Sequence, residues 1–225
     1  MRSEITTSRL AIVLQSAATA LLFAVAPMSM AGTIAGSDHD FSGINPDGQI
    51  CVNCHTPHNA DTSVATAPLW NHDVTSATFT LYSSPTMNAI PGQPSGSSKL
   101  CLSCHDGTVA VDSFGGRTGS VFIQPTDSHY IGTDLSNDHP ISITYDSALA
   151  TADPGLNDPA VTTVTIGQGG DKTNTGTVSE LMLPADQVQC SSCHDVHNNF
   201  VPPGAKDLLR VTVANSQLCF TCHNK

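Results

Sequence analysis

The sequence is short of basic and aromatic residues. It has 225 residues, with 8 lysines and arginines against 19 aspartates and glutamates, a formal net charge of −11, and only 5% aromatic residues. So acidic a surface argues against nucleic acid, or an anionic membrane, as a partner. The shortage of aromatic residues, with many small and polar ones, predicts a poor hydrophobic core and much irregular backbone if the polypeptide has to build its core alone.

Long apolar runs are absent after residue 31. Residues 1–31 carry two arginines, an apolar run over 10–25 and a small-residue stretch, Ser29-Met30-Ala31, which together predict a secretory signal peptide too short to be a stable membrane anchor. No cysteine stands at the predicted cleavage point, which argues against a lipid anchor. We therefore expect an exported mature chain, residues 32–225, without stable membrane insertion, carrying six basic and eighteen acidic residues and a formal charge of −12.

No cysteine is left over, because all eight belong to four C-x-x-C-H motifs. In such a motif two thiols add to the vinyl groups of a haem, and the adjoining histidine becomes the proximal iron ligand. The residues are Cys51, Cys54 and His55 in motif I, Cys101, Cys104 and His105 in motif II, Cys190, Cys193 and His194 in motif III, and Cys219, Cys222 and His223 in motif IV.

Two other uses of paired cysteines are less consistent with this pattern. Zinc ribbons use C-x-x-C pairs but need no histidine directly after each second cysteine. Disulfide or thioredoxin-like redox pairs would be odd in four copies without a βαβ pattern. A histidine after every pair is far beyond chance, and the sequence therefore predicts four covalently bound haem c groups.

The motifs are arranged as a repeat. Motifs I and III have a second histidine three residues after the first, His58 and His197, whereas motifs II and IV have none. We expect one tetrahaem unit over residues 32–225, made of a haem-pair module at 32–145, a loop-rich segment at 146–186 and a haem-pair module at 187–225. The predicted fold is mostly irregular coil cored by haem, with a short α-helix at each motif and little β-structure, including a β-hairpin near residues 161–166.

Six histidines outside the motifs could serve as distal iron ligands, whereas the mature chain keeps only Met87 and Met182 as competitors. His58 lies about one helical turn after His55, and so cannot reach the opposite face of its own iron. Chain order then assigns His58 to haem II and His197 to haem IV. The other expected ligands are His39 for haem I and His139 for haem III, with His72 and His129 in reserve.

Histidine on both sides of each iron would leave no open position for a substrate, which favours electron transfer over catalysis. We therefore expect a protein that is not an enzyme. Two alternatives stay open at this point. One is a monomeric periplasmic electron shuttle, and the other is a multihaem reductase, which would need an open iron and basic residues around it.

Several segments resemble the doubled C-x-x-C-H family of multihaem c-type cytochromes, and in particular its OmcE-type tetrahaem cytochromes of the outer surface of metal-reducing bacteria. The resemblance implies an extracellular or cell-surface location, with the periplasm as the alternative, and electron exchange with donor and acceptor proteins or metal oxides. It also implies a homopolymeric filament in which a histidine of one subunit can ligate a haem of the next. The segments are HDFS at 39–42, CVNCHTPHNA at 51–60, PLWN at 68–71, LCLSCHDGTVA at 100–110, LSNDHPIS at 135–142 and CSSCHDVH at 190–197.

Overall fold

Turns and irregular loops make up most of the chain. The computed structural model describes residues 34–167, 172–202 and 207–224. Within them the α-helices are short: α1 at Gly96–His105, α2 at Ser147–Ala152, α3 at Val178–Met182, α4 at Cys190–Cys193 and α5 at Gln217–Cys222. Single 3-10 turns lie at Phe41–Gly43, Pro184–Asp186 and Ala214–Ser216. The predicted coil-rich class with short helices is confirmed; the predicted signal peptide, residues 1–31, lies outside the described residues.

Three of the motifs form the ends of helices, as expected. Helices α1, α4 and α5 end within motifs II, III and IV. The expectation of a helix at motif I is wrong, because its backbone closes only one turn, in which the His55 amide donates to the Cys51 carbonyl at 2.9 Å. The next amide, that of Thr56, donates instead to the Leu69 carbonyl at 2.9 Å. Motif III turns in the same way, since the Asp195 amide donates to the Leu208 carbonyl at 2.8 Å. Val196 stands there in place of Pro57, so the proline is not the cause of this change of direction.

Two small antiparallel sheets organise the segment between the modules. Strand β1 at Ile143–Thr144 pairs with β4 at Gln187–Val188, and β2 at Thr163–Ile166 pairs with β3 at Asn174–Thr177. The strand expected near residues 161–166 is therefore present as β2. Residues 146–186 hold more regular structure than a loop-rich segment, since they contain α2, α3 and the β2–β3 pair. The β1–β4 pair joins the two ends of the segment and leads directly into motif III.

Ten of the buried hydrophobic residues form two separate clusters, each beside a motif. The larger one comprises Tyr145, Val164, Ile166, Val178, Met182, Leu183 and Val211, with Leu218 and Cys222 of helix α5 packed against it. The smaller one comprises Phe79, Leu102 and Leu135, and Leu102 belongs to motif II. Across residues 34–167, 172–202 and 207–224, the helices are too short or too polar to cross a bilayer. Each of the two hydrophobic clusters therefore lies next to a haem-attachment motif.

Candidate haem sites

The motif histidines are oriented by backbone carbonyls. The Nδ1 atom of His55 lies 2.7 Å from the Pro68 carbonyl oxygen, and that of His105 lies 2.8 Å from the His129 carbonyl oxygen. In motif III, His194 Nδ1 is 2.6 Å from the Asp207 carbonyl. A carbonyl accepts only from a protonated nitrogen, so Nδ1 donates and Nε2 keeps its lone pair. Such a second hydrogen bond fixes the ring of a metal-bound histidine, and these three rings fit iron ligation through Nε2.

Thiols of neighbouring motifs influence each other. Burial raises the pKa of Cys104 to about 12, and the Cys54 thiol of motif I adds to this rise by electrostatic repulsion. Burial likewise raises the pKa of Cys222 to about 12, with a further rise from Cys193 of motif III.

Motifs II and III are linked in the same way. A hydrogen bond from the Cys101 thiol lowers the pKa of Cys190 to about 7, although burial opposes this shift. The same hydrogen bond, followed by burial, raises the pKa of Cys101. The first cysteine of motif II and the first cysteine of motif III are therefore neighbours.

Three histidine pairs have the spacing of axial ligands on one iron. A metal–nitrogen bond is about 2 Å long and the ring centre lies ~1 Å further out, so two imidazoles across one iron have centres about 6 Å apart. The pairs in the structure are His39 with His105 at 6.1 Å, His55 with His197 at 6.1 Å, and His139 with His223 at 6.4 Å. Each pair joins a motif histidine to a histidine predicted as a distal ligand.

The pairing differs from the one expected from chain order. His197 lies against His55 of motif I and not against motif IV, with the two rings stacked at an interplanar angle of 15°. His39 lies beside the histidine of motif II, and His139 beside that of motif IV. The physical reason is that the turn after motif III folds back towards motif I. Asp195 organises this turn by accepting hydrogen bonds from the amides of His197 at 3.1 Å and Phe200 at 2.8 Å.

His39 is well suited to be a neutral ligand. Burial lowers the pKa of His39 to about 4, with a further lowering from His105, so the imidazole carries no proton to compete with a metal near neutral pH. Its Nδ1 atom is buried without a hydrogen-bond partner. By contrast the ring of His139 is tied through Nδ1 to the Pro140 carbonyl at 2.9 Å, which again leaves Nε2 for a metal.

The two reserve histidines occupy other places. His72 is buried, at 2% exposure, and its two ring nitrogens lie 2.7 and 2.9 Å from the carbonyls of Asp73 and Ala110. Neither nitrogen is available to an iron. His129 is exposed and its Nε2 lies 3.8 Å from Asp38 Oδ2, while its backbone carbonyl is the acceptor for motif II described above.

His58 and His194 remain without such a pair. His58 is exposed, and no ring pair within residues 34–167, 172–202 and 207–224 includes either residue. A cavity of about 180 Å³ lies beside His194, and it is lined by Cys190, Cys193, Leu102 and His139, the histidine expected for haem III, among others. Thiols, an imidazole and aliphatic side chains are the surroundings that a covalent haem needs.

Motifs I and III have the same local structure. Equivalent residues of the two copies are 139 positions apart, as residues 55 and 194 and residues 68 and 207 are. The motif histidine donates to a carbonyl thirteen residues later in both, and residues Leu69 and Leu208 both adopt positive φ, at 50° and 56°. After the extra histidines, Asn59 and Asn198 also have positive φ, at 55° and 53°. His58 and His197 are therefore equivalent positions, although only His197 meets a motif histidine.

Comparison with known families agrees with these sites. Residues 183–225, which hold motifs III and IV, match the family described as doubled CXXCH motif. The match supports a multihaem c-type cytochrome. In this protein the doubled motif indicates covalently bound haem c, and cytochromes of this kind are in general electron-transfer proteins. No curated protein is similar enough to the chain to count as a match.

Sequence reasoning missed the groups that hold the motif histidines. Three of them are backbone carbonyls, those of Pro68, His129 and Asp207. Every residue has a carbonyl, so no residue type signals this role. The regular spacing of thirteen residues, which motifs I and III share, could be found only by comparing their loops.

Proposed function

We propose that the mature chain is a tetrahaem c-type cytochrome that carries electrons along a row of closely spaced haems, which also serve as its core. The single observation that carries the proposal is the set of three histidine pairs, whose ring centres lie 6.1, 6.1 and 6.4 Å apart: His39 with His105, His55 with His197 and His139 with His223. Covalent haem supplies the one-electron chemistry, and the polypeptide sets its position and its ligands. Two small hydrophobic clusters leave the space between the motifs to be filled by the porphyrins.

Ligation by two histidines supports electron transfer over catalysis. The three histidine pairs would fill both axial positions of the irons at motifs I, II and IV. A filled iron has no position for a substrate, and two histidines give a lower reduction potential than histidine with methionine. Met182 is buried in the larger hydrophobic cluster, which is consistent with histidine as the distal ligand at all four sites.

The duplicated loop supports a polymer. Within one chain, His197 of the second copy of the loop reaches the motif of the first copy. If the same relation continues from chain to chain, the exposed His58 of one subunit reaches the His194 motif of the next. Such a contact joins two different surfaces, and head-to-tail contacts of that kind build rings or filaments. The haem row would then continue through the filament.

An extracellular or cell-surface location follows from this proposal and from the predicted signal peptide, with the periplasm as the alternative location. The acidic chain, with 19 aspartates and glutamates against 8 lysines and arginines, suits cationic partners such as metal ions or basic patches of redox proteins. Electron donors would be proteins of the cell envelope, and metal oxides are the proposed terminal acceptors.

Two measurements on the native secreted protein test these proposals. Intact mass spectrometry should give the mass of the mature polypeptide plus four haems, and any smaller number contradicts the tetrahaem proposal. Negative-stain microscopy should show filaments that His58→Ala abolishes and His129→Ala, a change at another exposed histidine, leaves intact. Dispersed particles at high protein concentration would refute the polymer and favour a monomeric shuttle.

One observation favours a reductase as the second candidate. No ring pair among the described residues includes His194, and the other histidine of its cavity, His139, is paired with His223. An iron left open at motif III could bind a nitrogen or sulfur oxyanion. Low-temperature electron paramagnetic resonance decides between the two: the filament should contain low-spin iron alone, whereas a high-spin quarter in the assembled protein would support the enzyme.

A further inference from the structure

The helices of motifs II and III are joined by buried polar side chains. Ser98 of helix α1 is fully buried, and its Oγ accepts a hydrogen bond from the Cys190 amide at 3.0 Å. Its own amide donates to Gln189 Oε1 at 3.2 Å. Beside these bonds, the hydroxyls of Ser97 and Ser191 lie 2.6 Å apart. Ser97, Ser98, Gln189 and Ser191 thus form a clamp, which fixes the start of α4 on the first turn of α1.

The clamp lies directly beside two haem attachment points. Cys101 follows Ser98 by three residues in α1, and residues with this spacing share a helix face. Cys190 is itself held at its amide by Ser98. The clamp therefore brings the first cysteine of motif II next to the first cysteine of motif III.

Gln189 makes the clamp rigid. The residue is 2% exposed, and its amide nitrogen donates to Gln187 Oε1 at 2.9 Å while its oxygen accepts from the Ser98 amide. A further contact of 3.4 Å joins its oxygen to the Ser142 hydroxyl. Satisfied polar networks in the interior hold one geometry, because any displacement leaves a buried donor or acceptor unpaired. Apolar packing at this place would allow the helices to slide.

We propose that Ser98 and Gln189 are positioning residues for electron transfer between the two halves of the protein. They hold Cys101 against Cys190, and so set the distance between the haems attached at motifs II and III. This junction joins residues 32–145 to residues 187–225, and its spacing governs electron transfer between haems II and III. The inference rests on the proposed function, because it requires haem at both motifs.

A pair of buried-serine variants tests the proposal. Ser98→Ala removes the acceptor for the Cys190 amide. Ser113→Ala is the matched control, since Ser113 is also buried and its hydroxyl also accepts from a backbone amide, that of Gly119 at 2.9 Å, but it lies outside the four motifs. The readouts are the electron-exchange rate between haems II and III by nuclear magnetic resonance and the amplitude of the Soret circular-dichroism couplet.

Ser98→Ala should lower the exchange rate several-fold and reduce the couplet, whereas Ser113→Ala should leave both at the level of the unmodified protein. Equal rates in the two variants, with four haems attached in each, would overturn the inference and leave the proposed function intact. Fewer than four haems in the unmodified protein would instead contradict the proposed function. If Ser98→Ala does not fold, Ser97→Ala carries the test: it removes only the outer hydroxyl pair, and an unchanged exchange rate would equally refute the clamp.

Discussion

The pairing of His197 with motif I leads to a spectroscopic prediction. The two rings of His55 and His197 are nearly parallel and 6.1 Å apart, as expected for two ligands of one iron. His197→Ala should therefore remove the distal ligand of one haem and no other. With four motifs in the chain, about a quarter of the iron should change from low spin to high spin, because a single axial histidine gives a weaker ligand field.

A second background identifies the haem that has changed. In the double variant Cys51→Ala with Cys54→Ala, motif I can no longer attach haem, and mass spectrometry should find three haems. Adding His197→Ala to this background should produce no new high-spin iron, since the iron that used His197 is already missing. Two changes at one site do not have additive effects, and this double-mutant cycle measures the departure from additivity directly.

The assay is low-temperature electron paramagnetic resonance of the oxidised protein, with His129→Ala as a control in which all iron stays low spin. New high-spin iron in the background without haem I would refute the pairing. It would support instead the assignment of His197 to motif IV that chain order suggests. An unchanged spectrum after His197→Ala alone would show that this histidine is no iron ligand at all.

Three further predictions concern other residues. His139→Met should raise the reduction potential of the haem at motif IV and leave the other potentials nearly constant, since methionine favours the reduced iron. A spectroelectrochemical titration measures the potentials, and a shift in every one of them would contradict the pairing. Leu102→Ala should lower the free energy of unfolding by about 2–5 kcal/mol, because the side chain is 1% exposed in the smaller cluster. Denaturant titrations of the haem-loaded protein measure this loss, and a loss below about 1 kcal/mol would mean that the smaller cluster is not packed as described. Gly107→Ala should lower the melting temperature more than Gly48→Ala. Both glycines have positive φ, 75° and 61°, but of the two only Gly107 would place the new Cβ against the Tyr130 ring, at 2.6 Å. Equal melting temperatures of the two variants would exclude this close approach.

The sequence predicts the identity of the haem-binding residues better than their arrangement. Cysteines and histidines at fixed spacing carry the chemistry of attachment, so the motifs could be read directly. The coil-rich class with short helices also follows from composition. Which distal histidine faces which motif could not be read, because chain order says nothing about a turn such as the one at Asp195 that folds back across the protein. His72 shows the same limit. Its two ring nitrogens lie against backbone carbonyls, which removes it from the candidate distal ligands, and the sequence does not indicate such contacts.

The helix prediction failed at motif I. All four motifs have the same spacing, and three form helical ends. Motif I closes one turn only, and the Thr56 amide then pairs with the distant Leu69 carbonyl, which the spacing of the motif does not reveal. The segment 146–186 is more ordered than its turn-rich composition suggests. A capping box between Thr177 and Glu180 begins helix α3 there, and the helix packs its apolar residues into the larger cluster.

The measurement that tests the account most directly is an electron cryomicroscopy structure of the native, haem-loaded protein. The account predicts four haems in one continuous row, in the order of motifs I, II, III and IV, with Cys101 and Cys190 next to each other at its middle. His197, His39 and His139 should ligate the irons of motifs I, II and IV. A haem row interrupted between motifs II and III, or a different histidine on any of these three irons, would contradict it.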